Sequence, residues 1–350
     1  MSLETEPAPV YSAVVTEITD RIEETFELSF DYSLTVINIF FDARLSNGEE
    51  VSVTQSFSSL FDVGTREVEA GDRILVIHQY GNFYDFMDYE RINYIIFLGV
   101  VFFIAIVLFG RQKGFNSIVA LLFTCTAIFM VFIPSILSGH NIYILTAIIS
   151  GYSIISTLFI VVGPHKKAVS AMLGCLGGVL FAGIIMYGMD IVMNLTGFVD
   201  SESSSLLNLP VEINLRAIIF AGVVIGSTGA IMDVAMSISS SLWEVGQMKE
   251  KTSFKDIFKS GMEIGKDILG TMLNTLILAY IGSSISTILL LTAHSTSIIE
   301  LINMEMIIVE FLRAFVGSFG MFLTVPLTAG ICGYLYSKSP SRRDYQRGSW

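Results

Sequence analysis

The stretch INYIIFLGVVFFIAIVLFG, residues 92–110, contains no charged side chain. Wound as a helix at about 1.5 Å per residue, it covers most of the roughly 30 Å of a bilayer's hydrocarbon. It ends just before Arg111 and Lys113, where an aqueous boundary belongs. Similar runs follow. A second begins near Phe115 and ends near Leu137, a third covers about 141–162, and a fourth about 168–191. A fifth starts at Arg216, a sixth near Asp267 and a seventh near Ile307. Composition agrees: the chain is 53% hydrophobic and 15% charged, with a mean hydropathy of +0.68. Soluble domains carry about 25% charged residues. The fold class expected is mainly α, a polytopic membrane protein of about seven transmembrane helices, with the lipid bilayer as its first partner.

The region before residue 92 is different. Residues 1–91 hold 18 acidic and 5 basic side chains, whereas the remainder is nearly neutral. YSAVVTEI and SLTVINIFFDARL are rich in β-branched and aromatic residues, which favour strands. Asn47-Gly48 separates two strand-like runs, a strong hairpin signal. Gly71-Asp72 marks another turn, followed by the strand-like RILVIHQY. Residues 10–79 are therefore expected to form a compact antiparallel β-barrel or sandwich. The domains expected are an acidic β domain with its linker over 1–91, a helical membrane domain over 92–337, and a basic tail over 338–350.

Lysine and arginine concentrate on the cytoplasmic side of membrane proteins. Arg111 and Lys113 follow the first segment, and Lys166 and Lys167 the third. Lys249, Lys251, Lys255, Lys259 and Lys266 follow the fifth, and Lys338, Arg342, Arg343 and Arg347 the seventh. Opposite loops carry Asp200, Glu202, Glu212, Glu300 and Glu305, with Arg216 at a helix mouth. All these clusters share one side, so the C-terminus is expected in the cytoplasm and the β domain outside. MSLETEPAPVYSA has no apolar core to carry that domain across. An additional upstream membrane helix or signal is the expectation that follows.

Several function classes are excluded. No basic patch suits nucleic acid. Cys125, Cys175 and Cys332 lie in apolar runs without paired or metal-ligand spacing, and the four histidines form no cluster, so no metal or cofactor is expected. There is no HExxH, no P-loop and no serine–histidine arrangement in the membrane, so enzymatic chemistry is not expected.

One ionisable residue stands out. In GSTGAIMDVAMSISSSLWE, residues 226–244, Asp233 sits mid-helix. Gly222, Gly226, Ala230, Asp233, Ser237, Ser240 and Glu244 recur every three or four residues and share a helix face. A carboxylate at such depth costs about 2.5–3.5 kcal/mol even on the mild insertion scale. Desolvation favours the protonated form unless a cation or donor pairs with it. Asp233 therefore reads as a proton or cation site; the alternative is a buried carboxyl hydrogen-bonded to neighbouring helices. That face is expected to meet protein or a water-filled gap. In the sixth segment Asp267, Thr271, Asn274, Leu278 and Gly282 share a face. Asn274 is the expected hydrogen-bond partner of Asp233, with Thr271 and Thr275 adding oxygens. Glu310 and Arg313 are three apart and are expected to form a structural ion pair. Gly174, Gly178 and Ala182 in the fourth segment form a small-residue stripe for close helix packing. Pro326 suggests a kink in the seventh segment. KTSFKDIFKSGMEIGKDI reads as an amphipathic helix on the inner membrane surface.

GAIMDVAMSISSSLWEV, GKDILGTMLNTLILAYIGSS and RAFVGSFGMFLTVPLTA resemble the YibE/YibF family of bacterial membrane proteins, as do GDRILV and GPHKKAVSAMLGCLGG. The resemblance implies a protein of the bacterial cytoplasmic membrane, described as a transporter without a settled substrate. It also implies a further N-terminal membrane helix. A shorter likeness links Asp233, Glu244, Thr271 and Thr275 to SecD/SecF and RND transporters, in which an intramembrane aspartate serves proton-driven movement. The function expected is an ion- or proton-coupled transporter using Asp233. The alternative is a non-transport scaffold whose outer β domain binds another protein, with that partner unidentified.

Overall fold

The computed structural model describes residues 9–29, 32–58, 66–80, 83–199, 201–206, 208–248, 253–294 and 297–337. The expected basic tail 338–350 lies outside the described residues, as do Asp200, Lys249, Lys251 and the side chain of Glu202. The chain forms two compact units, Met1–Ala105 and Ile106–Trp350.

The first unit contains five strands: β1 (Val10–Ser29), β2 (Tyr32–Leu45), β3 (Glu50–Ser58), β4 (Arg73–Tyr80) and β5 (Phe83–Tyr89). They close into a barrel in the order β1-β2-β3-β5-β4. This is a five-stranded Greek-key barrel of the OB type. The Asn47-Gly48 hairpin is present: Gly48 takes φ +90, Gly48 N–H donates to the Leu45 carbonyl, and the Asn47 side chain accepts from Glu49 N–H. Gly71 turns at φ +95. Ala13, Val15, Ile39, Phe41, Val53, Ile74 and Val76 alternate inward to fill the barrel. Gln55 is buried among them. Its amide donates to the Arg66 carbonyl and accepts from Val68 N–H, both at 3.1 Å, which pins the crossover to β3. One expectation is corrected: the barrel is not wholly antiparallel. β5, which strand-seeking that stops at Gln79 misses, pairs parallel with β3 and closes the barrel.

The helices are α1 (Ile92–Thr126), continued by a π turn (Ala127–Phe132) and α2 (Ile133–Leu137); α3 (Ile142–Val162); α4 (Lys166–Met193); α5 (Ser201–Leu206); α6 (Leu215–Met248); α7 (Phe254–Ser283); α8 (Ile285–His294); α9 (Ile298–Asn303); and α10 (Glu305–Ser337). Among the described residues, six runs are long and apolar enough to cross a membrane. The longest, Ile92–Leu137, has 46 residues and carries both of the first two expected segments. Arg111 breaks it with φ 48, ψ −128. A Cβ on Gly114 would strike the Ile106 carbonyl. In an unbroken helix those residues lie about 12 Å apart along the axis. The chain therefore turns back at Arg111, and this run holds two segments.

In the second unit α10 is the hub, packed by α4, α6 and α7, with α4 also against α6. The small residues of α4 explain the closeness. A Cβ on Gly174 would collide with the Thr328 side chain, and one on Gly178 would collide with Thr324 Oγ1 and lie 2.9 Å from the Gly320 carbonyl. On the other side of α10, a Cβ on Gly261 would meet Ala329, and one on Gly265 would strike Val325. Pro326 lies within α10, which continues to Ser337. The expected surface helix of residues 254–264 is not a separate element: it is the first part of α7, and its small side, Gly261 and Gly265, packs on α10.

Substituting Gly178→Ala is expected to destabilise the bundle by about 1–3 kcal/mol through overpacking. Gly222→Ala on α6, whose Cβ would meet nothing within 4 Å, should change it by no more than about 0.5 kcal/mol. Thermal unfolding of the two variants in detergent checks the difference.

Candidate functional site

α6 is buried on most of its circumference. Val223, Val224, Ile231, Val234, Ala235, Ile238 and Leu242 are all in the core. One stripe is not covered. Gly222, Gly226, Gly229, Asp233 and Glu244 are exposed, and Ser237 and Ser240 are half-buried. These residues recur every three or four positions, so they form one line along the helix. Among the described residues little covers that line, so of the two expectations, protein or a water-filled gap, close packing by the same chain is not what is found. Among the described residues Asp233 makes no hydrogen bond or ion pair.

The glycines of this stripe differ from those of α4. A Cβ at Gly222 or Gly229 would meet no atom within 4 Å, and at Gly226 only the Tyr280 hydroxyl, at 3.7 Å. They leave space open beside the helix instead of admitting a neighbour. Many exposed positions on α10 and α4 are bulky: Phe311, Phe315, Phe319 and Phe322 on α10, and Leu173, Leu180 and Ile184 on α4. Such side chains suit lipid, whereas a glycine line ending in a carboxylate does not.

Two cavities adjoin the stripe. One, of about 360 Å³, lies between the segment after Arg111, α3 and α6; it includes Gly226 and Gly229 and the hydroxyl residues Ser117, Thr124, Ser150, Ser153 and Thr157. Ser150 is 2% exposed and its hydroxyl has no partner. The other, of about 500 Å³, lies at the N-terminal end of α6 and includes Gly222, Ser284, Glu310 and Arg313. There Arg313 donates to Glu310 Oε1 at 2.9 Å, the ion pair expected from the i,i+3 spacing.

The remaining sequence candidates do not converge on Asp233 by direct bonds. Asn274, Thr271, Thr275 and Asp267 are exposed on α7. No hydrogen bond joins Asn274 to Asp233. Thr271 donates to the Ile268 carbonyl at 3.0 Å and Thr275 to the Thr271 carbonyl at 3.1 Å, so both hydroxyls bond back to their own helix. Glu244 lies at the Lys167 end of α6, close enough for its charge to act on that lysine.

Sequence reasoning missed two polar features. Asp190 on α4 is 5% exposed, and its Oδ1 is buried without a partner. It lies where the charges of Arg216 and Glu305 reach it. A lone acid inside the fourth apolar run was the available signal. The second is a knot at the other end of the bundle. The Ser170 and Ser239 hydroxyls lie 2.7 Å apart, and each is 2.8 Å from the Tyr336 hydroxyl. The same serine hydroxyls also donate to carbonyls of residues 166 and 167. The knot ties α4, α6 and α10 together with its hydroxyls satisfied. Among the described residues no group of three histidine, cysteine or acidic side chains could hold a metal ion.

A barrel followed by a bundle of membrane-spanning helices, with an uncovered carboxylate in one of them, defines a polytopic membrane protein. The family model described as YibE/F-like protein matches residues 98–338, and the chain belongs to that family. Comparison with curated proteins and with solved structures found no match.

The knot makes a separate prediction about stability. Tyr336→Phe removes a buried hydroxyl and leaves Ser170 and Ser239 short of one partner, which is expected to cost about 1–3 kcal/mol. Adding Ser239→Ala should cost less than it does alone, because both substitutions act on one network. Thermal unfolding of the single and double variants measures that coupling.

Proposed function

We propose that the chain is an ion- or proton-coupled transporter of the bacterial cytoplasmic membrane, without enzymatic activity, in which Asp233 is the coupling carboxylate. The barrel stands outside and the C-terminus inside, as the distribution of lysine and arginine in the sequence favours. The observation that carries this reading is the open stripe of α6. A helix buried elsewhere leaves Gly222, Gly226, Gly229 and Asp233 exposed, and Gly226 and Gly229 border a largely apolar cavity that also includes serine and threonine residues. Ionisable residues within spans mark ion pathways by default. An unpartnered carboxylate on a line of glycines leaves room for an ion or solute to approach. Ser237 continues the line on α6. Asn274, Thr271, Thr275 and Asp267 are uncovered side chains of the next long helix, available to a ligand rather than locked to Asp233.

A second reading, a scaffold whose barrel binds another protein, is favoured by one observation. Val14, Ile18, Ile22 and Phe26 are exposed at every fourth position of β1, a line of apolar side chains on an otherwise acidic unit.

The discriminating experiment is labelling of the purified protein with a hydrophobic carbodiimide, read at Asp233 by mass spectrometry. Labelling that varies with pH or is blocked by sodium or potassium supports coupling, and Asp233→Asn should then abolish cation-dependent movement in a folded protein. Absence of labelling at every pH in folded protein sinks the coupling role. In that case Ile22→Ser with Phe26→Ser is expected to remove function instead.

A further inference from the structure

The cavity at the N-terminal end of α6 contains charges that its own ion pair does not use up. Glu310 and Arg313 lie one turn apart on α10, and both line the cavity of about 500 Å³. A single hydrogen bond of 2.9 Å joins them, from Arg313 to Glu310 Oε1. Glu310 Oε2 is buried and has no partner among the described residues. The guanidinium has five N–H donors in a planar fork, and one of them accounts for this bond. The pair therefore offers an anionic acceptor and cationic donors to the same space. Ser284 adds a hydroxyl: it is 8% exposed, lines the cavity, and no described residue bonds to that hydroxyl. The rest of the wall includes apolar side chains such as Ile219 and Val309. Gly222 keeps the floor open, since a Cβ there would meet nothing within 4 Å.

A purely structural ion pair would have its second carboxylate oxygen satisfied or facing water, because an unmet buried charge is costly. Here the unmet acceptor borders a cavity large enough for a small molecule. A ligand with one ammonium and one carboxylate would complete an alternating set of four charges: its ammonium donates to Glu310 Oε2, and its carboxylate accepts from the free edge of Arg313 in the fork geometry arginine favours. Its apolar group would lie against Ile219 and Val309. We propose that this cavity is a binding site for a small zwitterionic amino carboxylate with an apolar side chain, an amino acid or dipeptide. The site stands on the α10 pair and the cavity, and does not depend on whether Asp233 couples movement.

The test is equilibrium binding to the purified full chain by titration calorimetry. The probes are L-leucine and L-leucyl-L-leucine, with leucinol lacking the carboxylate and 4-methylpentanoate lacking the ammonium. At least one zwitterion is expected to bind, and each single-charge analogue of leucine at least tenfold more weakly. Arg313→Gln should weaken the zwitterion at least tenfold. Gly222→Leu, which leaves the ion pair in place and fills the floor, should do the same in a protein with unchanged thermal stability. No binding by either zwitterion overturns the proposal, as do equal binding of a single-charge analogue and undiminished binding by the folded Gly222→Leu protein.

Discussion

Helix α10 lies against α4 only because Gly174 and Gly178 lack side chains. At both positions a Cβ would overlap a threonine of α10, so the two helices pack too closely to admit a side chain there. In lipid there is little hydrophobic drive to bring helices together, and close packing has to supply the attraction. Everything else in the second unit is arranged around that contact. Ile231 of α6 lies near Gly178 and Gly320, where the two helices leave a groove for it. α7 uses the same device on another side of α10 through Gly261 and Gly265. The hydroxyl knot of Ser170, Ser239 and Tyr336 then fixes the register of α4, α6 and α10 at one end. At the other end Glu305, at the start of α10, accepts from Thr196 and Gly197 N–H groups and holds the loop after α4.

That arrangement explains why α6 can carry an uncovered face. With α4 and α10 supplying its packing, the remaining side need not contribute to stability. Glycine in a helix interior is destabilising by roughly 0.5–1 kcal/mol relative to alanine. α4 recovers that cost through contact, since its glycines admit α10. Gly222 and Gly229 recover nothing visible within the chain, because an added methyl would touch no atom. Two stripes that look alike in sequence therefore have different physical meanings. One is closed by a neighbour, and the other borders open space.

Much of this was legible in the sequence. The uncharged run at 92–110 requires a membrane helix by length alone, and Asn47-Gly48 requires a hairpin because both residues tolerate positive φ. The Gly174–Gly178–Ala182 stripe announces close packing, and the spacing of Glu310 and Arg313 announces their bond. What could not be read depends on which elements meet. The parallel partner of β5 lies about thirty residues earlier in the chain, and no local pattern marks it. Asn274 has the spacing to reach Asp233, but α7 packs chiefly on α10, so adjacency in the chain did not become a hydrogen bond. Ser170, Ser239 and Tyr336 are unremarkable singly and acquire meaning only when three helices bring them together. The openness of the α6 stripe is likewise a property of its neighbours. The sequence shows a small and polar face, and only the packing shows how little of the described chain lies on it.

The polar groups inside the bundle thus sort into two kinds. In the knot, the serine and tyrosine hydroxyls bond one another and helix-end carbonyls, as a structural network in a low-dielectric setting must. Among the described residues the Ser150 hydroxyl, Asp190 Oδ1, Glu310 Oε2 and Thr328 Oγ1 are buried without partners, and the exposed Asp233 makes no hydrogen bond or ion pair. Stability alone favours converting such groups to apolar ones of similar shape, since an unmet buried polar group costs about 1–3 kcal/mol and a charged one more. Two of the four buried atoms border cavities, Ser150 beside Gly226 and Gly229 and Glu310 beside Gly222, whereas Asp190 and Thr328 line neither. Two unmet polar atoms thus adjoin the exposed line of α6, whereas the hydroxyl knot is closed within the chain.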